Sequence, residues 1–433
     1  MAYQSKKIQI ELSSLCLFAV VIMAFCHHFF IYGNSYFGYV VLFLLMTIMA
    51  IVLKRKLAIN IHSIGWIWVL AAVAMLYSFF VVSNKYGAAR NDVLILLISM
   101  FFCALLRYKD RDYVQCLKIA MFLGGVHAFG VVTQQILPSV HRIFVLFLPS
   151  DLASIVMAKS NNGFTVNSGF AACFICVGIL VLGALIHGEY KLTIKYKLLM
   201  ILLLMGLLLT GKRAHPLFLA ICMLTCYFLP LRGVKTLKKY WIAFLVFVVA
   251  VLLFFALKDA LVTIPFFASV IETVDGLVMG TDITSSRSVL ITWAWTLFSE
   301  NPIVGIGWGE FRKTVIGNVT RVTEFDTHNI YMQLLCETGI VGFTCFVIPM
   351  LVFWFNAKEI FCKCARNESL VSGMWKSVNY FSFSFQTLFL LYGFTGNPLY
   401  DPNWVIMYMI CCGMTMSYLS VEKNTKSPAN KCQ

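Results

Sequence analysis

Long apolar stretches, separated by short polar segments, recur along the whole chain. Each is about 15 to 24 residues long, close to the length with which a helix crosses a hydrocarbon core of roughly 30 Å. No run shows the tight alternation of a membrane β-barrel strand. The pattern predicts an all-α polytopic membrane protein, a single integral domain over residues 1–433 with about 12 transmembrane helices. The predicted spans are 12–32, 37–53, 62–82, 91–106, 117–137, 168–187, 196–210, 214–230, 240–257, 332–355, 377–395 and 404–420.

One polar segment, residues 258–331 between the ninth and tenth spans, is much longer than the others. The hydroxyl residues at 284–286 can cap a helix that runs from Arg287 to about Ser299, with apolar residues at helical spacing. Gly305, Gly307 and Gly309 follow, and glycine permits turns with positive φ. We therefore expect a large loop with short helices that lie at the membrane surface.

Composition strengthens the membrane interpretation. The chain is 60% hydrophobic and 12% charged, whereas soluble domains carry roughly 25% charged residues. Its net charge of +15 does not indicate nucleic-acid binding, because most basic residues lie in alternate short loops, as the positive-inside rule describes. That distribution places both termini in the cytoplasm. The short polar stretch 421–433 is expected to form a disordered tail.

The same orientation defines an outer face. It consists of residues 33–36, 83–90, 138–167, 211–213, 258–331 and 396–403. None of the 15 cysteines falls in these segments, so no disulfide framework is predicted. Candidate site residues reach this face in four separate places: Lys212, Arg213 and His215, then Arg287, then His328, and finally Asp401.

These residue types suit a phosphorylated lipid. A guanidinium presents forked donors that match two phosphate oxygens at once, so Arg213 and Arg287, with Lys212, could hold a pyrophosphate. Such cations also stabilise negative charge on a leaving group. His328 could orient a sugar hydroxyl or accept its proton, since the imidazole pKa lies near working pH. His215 and Asp401 are weaker candidates, and Asp401 could contact sugar hydroxyls or His328.

Each residue also has a simpler interpretation. Arg287 could pair with Asp282 or a lipid phosphate, and Arg213 could be an interface anchor. His328 could cap a helix. Glu337, just inside the tenth span, is expected to bind backbone or orient a neighbour. His127 is expected to be a packing residue within a span.

Several blocks together resemble the O-antigen ligase and O-antigen polymerase family. They are Arg287 to Trp293, Asn301-Pro302-Ile303 with Gly305-Ile306-Gly307 and Phe311, and His328-Asn329-Ile330-Tyr331 followed by Glu337-Thr338-Gly339. The turn Leu209 to Arg213 is similar to a short turn of that family, and Gly163-Phe164-Thr165 with Asn167 resembles another of its loops more faintly. This chain departs from the family pattern at Lys212 and at Ala214-His215.

The resemblance implies a metal-independent, cofactor-free glycosyltransferase of the C-type membrane superfamily, acting at the outer face of the cytoplasmic membrane. Its donor would be a saccharide on undecaprenyl pyrophosphate, transferred with inversion at the anomeric carbon. Arg213 and Arg287 would bind the pyrophosphate, and His328 would act on or near the hydroxyl of a glycan acceptor.

Two functions of the same family remain open. We favour a polymerase of lipid-linked repeat units, as in O-antigen, capsule or exopolysaccharide synthesis, over a ligase that moves finished glycan to another acceptor. A flippase or other transporter, and a non-catalytic scaffold, are rivals from other classes. Balanced halves, which transporters commonly show, are not seen in this sequence. Expected partners are the bilayer and other assembly proteins, such as a flippase and a chain-length regulator.

Overall fold

The computed structural model describes residues 12–30, 64–83, 87–100, 108–191, 193–231, 234–279, 287–313, 326–368 and 373–426. Within these ranges the chain forms helices and connecting turns, with no β-strand. The all-α prediction is therefore confirmed for this part of the chain. The predicted span 37–53 lies outside it.

Sixteen helical segments follow in chain order through these ranges. The first eight are α1 Leu12–Phe30, α2 Ile64–Val82, α3 Gly87–Ser99, α4 Asp110–Ile136, α5 Pro138–Val145, α6 Ser150–Ala158, α7 Ser168–His187 and α8 Ile194–Leu209. The others are α9 Ala214–Phe228, α10 Val234–Ala256, α11 Lys258–Leu261, α12 Pro265–Met279, α13 Arg287–Glu300, α14 Ile330–Ala365, α15 Gly373–Tyr392 and α16 Pro402–Lys426. A 3-10 turn occupies Phe311–Lys313.

Apart from 37–53, every predicted span overlaps one of these helices. Among the described residues, five helical segments are long and apolar enough to cross a membrane by length and composition: Ile64–Val82, Asp110–Ile136, Ser168–His187, Ile330–Ala365 and Pro402–Lys423. Two shorter apolar helical stretches, Leu17–Cys26 and Ala214–Phe228, accompany them. The structure is that of a helical membrane protein, and the number of twelve crossings stays a prediction.

The core surrounds α7, which packs against α4, α8 and α15. Most of its side chains are buried. A β-carbon added at Gly124 of α4 would lie 2.7 Å from the Phe174 carbonyl oxygen and 3.2 Å from the Gly178 α-carbon. The two helices therefore cross with their backbones close together, the arrangement that small residues permit between membrane helices. This contact holds α4 and α7 together within the bundle.

The outer surface of the bundle is apolar. On α10, for example, Trp241, Leu245, Leu252 and Phe255 are each more than half exposed. Exposed apolar side chains along a whole helix are stable in lipid and unfavourable in water. This surface agrees with the membrane interpretation of the composition.

The described parts of the long polar segment contain α11, α12, α13 and the 3-10 turn. The position of these helices at a membrane surface stays a prediction. The predicted helix from Arg287 ends one residue beyond the expected Ser299, while its expected caps at 284–286 lie outside the described ranges. At the end of the chain, α16 continues to Lys426, so a disordered tail cannot begin at residue 421 as predicted. The polar residues 421–426 continue the apolar helix of residues 402–420 by further helical turns.

Candidate functional site

His328 lies in a turn that the neighbouring side chains hold in place. Its φ of 52° falls in the left-handed region, which non-glycine residues seldom adopt and which recurs at functional sites. Thr327 Oγ1 donates to the Asn329 carbonyl at 2.7 Å and accepts from the Asn329 amide at 3.1 Å. The Asn329 side chain then caps α14 by accepting from the Tyr331 and Met332 amides, both at 3.1 Å. The Thr-His-Asn order therefore fixes the backbone on both sides of the imidazole.

Gln333 ties this turn to two other segments. Its side-chain oxygen accepts from the Thr327 amide at 3.1 Å and from the Asn397 side chain. Its side-chain nitrogen donates to Asp326 at 3.0 Å. Asp326 also forms an ion pair with Arg312, whose Nε lies 2.6 Å from Asp326 Oδ1. The residues before and after His328 are thus anchored to α14, to the loop after α15 and to the 3-10 turn.

The glycine-rich turn, residues 305–309, packs directly on a break in α14. Gly339 has φ 63° and ψ −172°, which interrupts the helix, and the turn supplies replacement partners. The Ile306 amide donates to the Cys336 carbonyl at 3.0 Å and the Gly307 amide to the Glu337 carbonyl at 2.9 Å. A β-carbon at Gly305, where φ is 72°, would lie 2.4 Å from the Glu337 carbonyl carbon. The glycines therefore permit a contact between two backbones.

Glu337 joins the elements around this contact. It is fully buried, and each of its carboxyl oxygens accepts two hydrogen bonds. Oε2 accepts from the Gly309 amide at 2.8 Å and the Tyr400 hydroxyl at 2.6 Å. Oε1 accepts from the Phe311 amide and the Gln333 side chain, each at 3.3 Å. The expectation that Glu337 binds backbone is confirmed, and the residue acts as a structural acceptor.

Three of the predicted residues, Lys212, Arg287 and His328, come together at one end of the bundle. Burial lowers the pKa of the Lys212 ammonium, and three neighbouring cations lower it further, in the order Arg287, Arg213 and Lys159. Among the residues with described positions, no acidic side chain forms an ion pair with Lys212, Arg213 or Arg287. Asp282, the alternative partner of Arg287, lies outside them. A partly buried group of cations that repel one another is a site that favours an anion.

Arg213 contributes to this group from its edge. Its guanidinium donates to the Ser269 carbonyl at 3.4 Å and to the Thr273 hydroxyl, both on α12. The charge acts on Lys212, while Nη1 is engaged with α12. The structure thus brings Arg213 close to the site with one of its donors already occupied.

The environment of His328 favours the neutral imidazole. Burial lowers the pKa of His328 from its ordinary 6.5, and the charges of Arg287 and Lys212 lower it further. Asp326 opposes them and raises the pKa. A neutral imidazole can accept a proton from a hydroxyl group, which an imidazolium cannot.

We expect the rate of a reaction that needs neutral His328 to fall as pH decreases, with the midpoint of this acid limb below 6.5. Arg287 depresses the pKa, so Arg287→Gln should raise the midpoint; Lys212→Gln should raise it less. The measurement is the initial rate against pH. Lys159→Gln is the matched control, because Lys159 acts on Lys212 and is not among the charges that shift His328. A midpoint that stays fixed in Arg287→Gln would argue against this coupling.

His215 lies in the first turn of α9, within electrostatic reach of Lys212 and Arg287. It is buried, and its ring lies 4.7 Å from that of Tyr392 and 6.1 Å from that of Trp404, centroid to centroid. Lys212 and Arg287 act on it electrostatically. Neither ring nitrogen has a hydrogen-bond partner among the residues that the structure covers. The imidazole therefore packs against the rings of Tyr392 and Trp404, near the cation group.

Asp401 begins α16. Its Oδ1 accepts from the Asn403 amide at 3.0 Å, as a helix-capping carboxylate does. Burial raises the pKa of Asp401 to about 7, although hydrogen bonds from the Asn403 and Trp404 amides lower it. Asp326 is the carboxylate that raises the pKa of His328. Asp401 is not among the groups that shift the pKa of His328.

The residues that sequence reasoning missed belong to the network around His328: Asp326, Arg312, Gln333 and Tyr400. Asp326 stands two positions before the histidine, and Gln333 is one helical turn beyond the Asn329 cap. These spacings are weak signals. Arg312 and Tyr400 gave none, because their partners lie far away along the chain.

Comparison with known proteins adds one finding. The model of a protein family described as O-antigen ligase matches residues 198–347, from α8 to α14. This range contains Lys212, Arg213, His215, Arg287, His328 and Glu337 and confirms the resemblance drawn from those motifs. A search of curated proteins gives no match.

Proposed function

Because residues 198–347 match the model of a family described as O-antigen ligase, we propose that this chain is a polymerase of lipid-linked oligosaccharide repeat units. It transfers the glycan from undecaprenyl pyrophosphate to a sugar hydroxyl of a second lipid-linked unit, at the outer face of a bacterial cytoplasmic membrane. Both termini of the chain lie in the cytoplasm. The reaction needs no metal and inverts the anomeric carbon.

The observation that carries this proposal is the cation group beside a neutral imidazole. Lys212 and Arg287 lower the pKa of His328 and repel each other, so a bound pyrophosphate would relieve the repulsion. The neutral imidazole would then lie beside the bound pyrophosphate, and the cations would balance the charge of that ligand. A leaving group and a proton acceptor are the two components that glycosyl transfer to a hydroxyl needs.

The proposed reaction is a single displacement. The acceptor hydroxyl oxygen attacks the anomeric carbon and gives its proton to His328. The bond from the anomeric carbon to the pyrophosphate oxygen breaks, and its electron pair leaves with the pyrophosphate. Arg287 and Lys212 stabilise that charge, with Arg213 in support. Attack opposite the leaving group inverts the carbon. Because the protein supplies the cations, no metal ion has to neutralise the pyrophosphate.

His215 and Asp401 have supporting roles in this proposal. His215 is buried within electrostatic reach of Lys212 and Arg287, and we assign it to the donor side of the site. Burial raises the pKa of Asp401, and we assign its carboxyl to contact with sugar hydroxyls. The flippase and the chain-length regulator are the proposed protein partners, because the substrate must reach the outer face and its polymer must be limited in length.

A ligase is the second candidate, because the matched family is described by that activity. The two functions differ in the acceptor. We expect purified protein in detergent or liposomes, given only lipid-linked repeat units, to produce a ladder of longer lipid-linked glycans. His328→Ala should produce none at equal protein abundance.

Electrophoresis of the lipid-linked products provides the measurement. If no ladder forms but glycan moves to an added non-repeat acceptor, the protein is the ligase. If the protein transfers glycan to neither acceptor, the proposal of a glycosyltransferase is wrong.

A further inference from the structure

The loop between α6 and α7, residues 159–167, is held in place from α4. Gln134 Nε2 donates to the Lys159 carbonyl and to Asn162 Oδ1, both at 3.0 Å. Within the loop, Thr165 Oγ1 donates to the Asn162 carbonyl at 2.8 Å. Asn162 and Thr165 are both fully buried. These hydrogen bonds fix the backbone of the loop before any ligand arrives.

This loop lies beside the cation group. A β-carbon added at Gly211, the residue before Lys212, would lie 3.5 Å from Asn161 Nδ2. A β-carbon added at Gly169, in the first turn of α7, would lie 4.0 Å from Lys212 Cε. The charge of Lys159 is also one of the three that lower the pKa of Lys212. The loop and the start of α7 therefore border the Lys212 side of the site.

Two side chains of the loop offer N–H groups to a ligand. Lys159 is exposed, and its Nζ donates to the Val166 carbonyl at 3.0 Å, which leaves two of its three N–H groups. Asn161 Oδ1 accepts from the Gln135 side chain, which leaves the Asn161 Nδ2 group as a donor. Within the described part of the chain, no carboxylate pairs with Lys159. An ammonium and an amide on one loop match the two oxygens of a carboxylate.

The reach of the Lys159 charge indicates which substrate these groups contact. It acts on Lys212, and it is not among the charges that shift the pKa of His328. In the proposed reaction Lys212 is on the side of the leaving group, whereas His328 is on the side of the acceptor hydroxyl. A group bound by Lys159 therefore belongs to the molecule that carries the pyrophosphate.

We propose that Lys159 and Asn161 bind the carboxylate of an acidic sugar, a hexuronic acid, in the saccharide of the lipid-linked donor. The inference rests on the proposed function, since it takes as given that Lys212 and Arg287 hold the pyrophosphate of the same molecule. A pyrophosphate diester carries two negative charges, whereas the cation group together with Lys159 carries four positive charges. A further anion beside the pyrophosphate is therefore favourable.

Lys159→Gln removes the charge and should weaken binding of an acidic donor only. The test compares two undecaprenyl-linked donors that differ in one sugar, a hexuronic acid or the corresponding neutral hexose, with the same neutral acceptor. We expect KM for the acidic donor to rise on the order of tenfold, about 1.4 kcal/mol, because a hydrogen bond between charged groups is lost. KM for the neutral donor and kcat for both should stay unchanged. The increase should shrink at high salt, which screens an exposed ion pair.

Asn161→Gly tests the second contact without straining the loop. Asn161 has φ 66°, a left-handed conformation that glycine adopts without a steric penalty. The variant therefore removes the amide and preserves the backbone. We expect KM for the acidic donor to rise about threefold, since the lost hydrogen bond has only one charged partner.

Arg142→Gln is the matched control, since it removes one positive charge from an exposed position on α5, and it should change neither KM. Equal increases of KM for both donors in Lys159→Gln would assign Lys159 to the pyrophosphate and overturn the inference. An unchanged KM for the acidic donor, or transfer from the neutral donor alone, would overturn it too. In these cases transfer continues and the proposed function stands. Failure of the unsubstituted protein to use either donor would instead overturn the proposed function, and this inference with it.

Discussion

Arg287→Ala is expected to reduce glycan transfer by about 10²- to 10³-fold, the usual effect of removing one donor that stabilises transition-state charge. Arg287 is the cation that acts most strongly on His328 and the first of the cations that act on Lys212. Its loss removes charge from the leaving-group side and also raises the pKa of the imidazole. Arg287→Lys keeps the charge without the forked geometry, so its loss should be smaller. The measurement is the rate of product formation at equal protein abundance.

Arg142→Ala is the control for this variant. Arg142 is an exposed arginine on α5, in a segment of the same predicted outer face, so its removal changes the net charge equally. Transfer should stay near the unsubstituted rate. If Arg287→Ala also retains that rate, the assignment of Arg287 to the leaving group is wrong.

Glu337→Ala is expected to lower the free energy of unfolding by about 3 to 5 kcal/mol, because it leaves several buried donors without an acceptor. The carboxylate accepts from the Gly309 and Phe311 amides, the Tyr400 hydroxyl and the Gln333 side chain. Three separate segments would lose their common partner. Chemical unfolding in detergent, followed by tryptophan fluorescence, measures the change.

Tyr400→Phe distinguishes the contribution of one hydrogen bond to Glu337 from that of the packing around it. It removes one donor to Glu337 and keeps the ring, which stacks on Trp308 at 4.7 Å between centroids. A loss of about 1 kcal/mol is expected, the size of one ordinary hydrogen bond. An equal loss in both variants would mean that Glu337 is not the common anchor.

Most of the helices could be predicted from the sequence, because the length of an apolar run is itself the physical requirement for crossing lipid. The surface helix from Arg287 was also predictable, since its apolar spacing is a local property. The helical extension of α16 past residue 420 was not, because a polar sequence can continue a helix that packing has already begun.

The candidate site was partly predictable. Orientation alone placed Lys212, Arg287 and His328 on one side of the membrane, and the structure brings these three together. The engagement of Arg213 with α12 depends on the Ser269 carbonyl and the Thr273 hydroxyl, 56 and 60 residues away in the chain. Likewise Arg312 and Asp326, which form an ion pair, are 14 residues apart in the sequence. Neither follows from local pattern, because both arise only when separate segments pack.

The contact between the glycine-rich turn and the break in α14 limits how this region can change over evolution. A β-carbon at Gly339 would lie 2.2 Å from the Ile303 carbonyl oxygen, and one at Gly305 would meet the main chain at residues 336–338. Both obstacles are main-chain atoms, so trimming a nearby side chain cannot relieve them. A substitution of either glycine can be tolerated only if the backbone of the loop changes. The two positions are therefore constrained together.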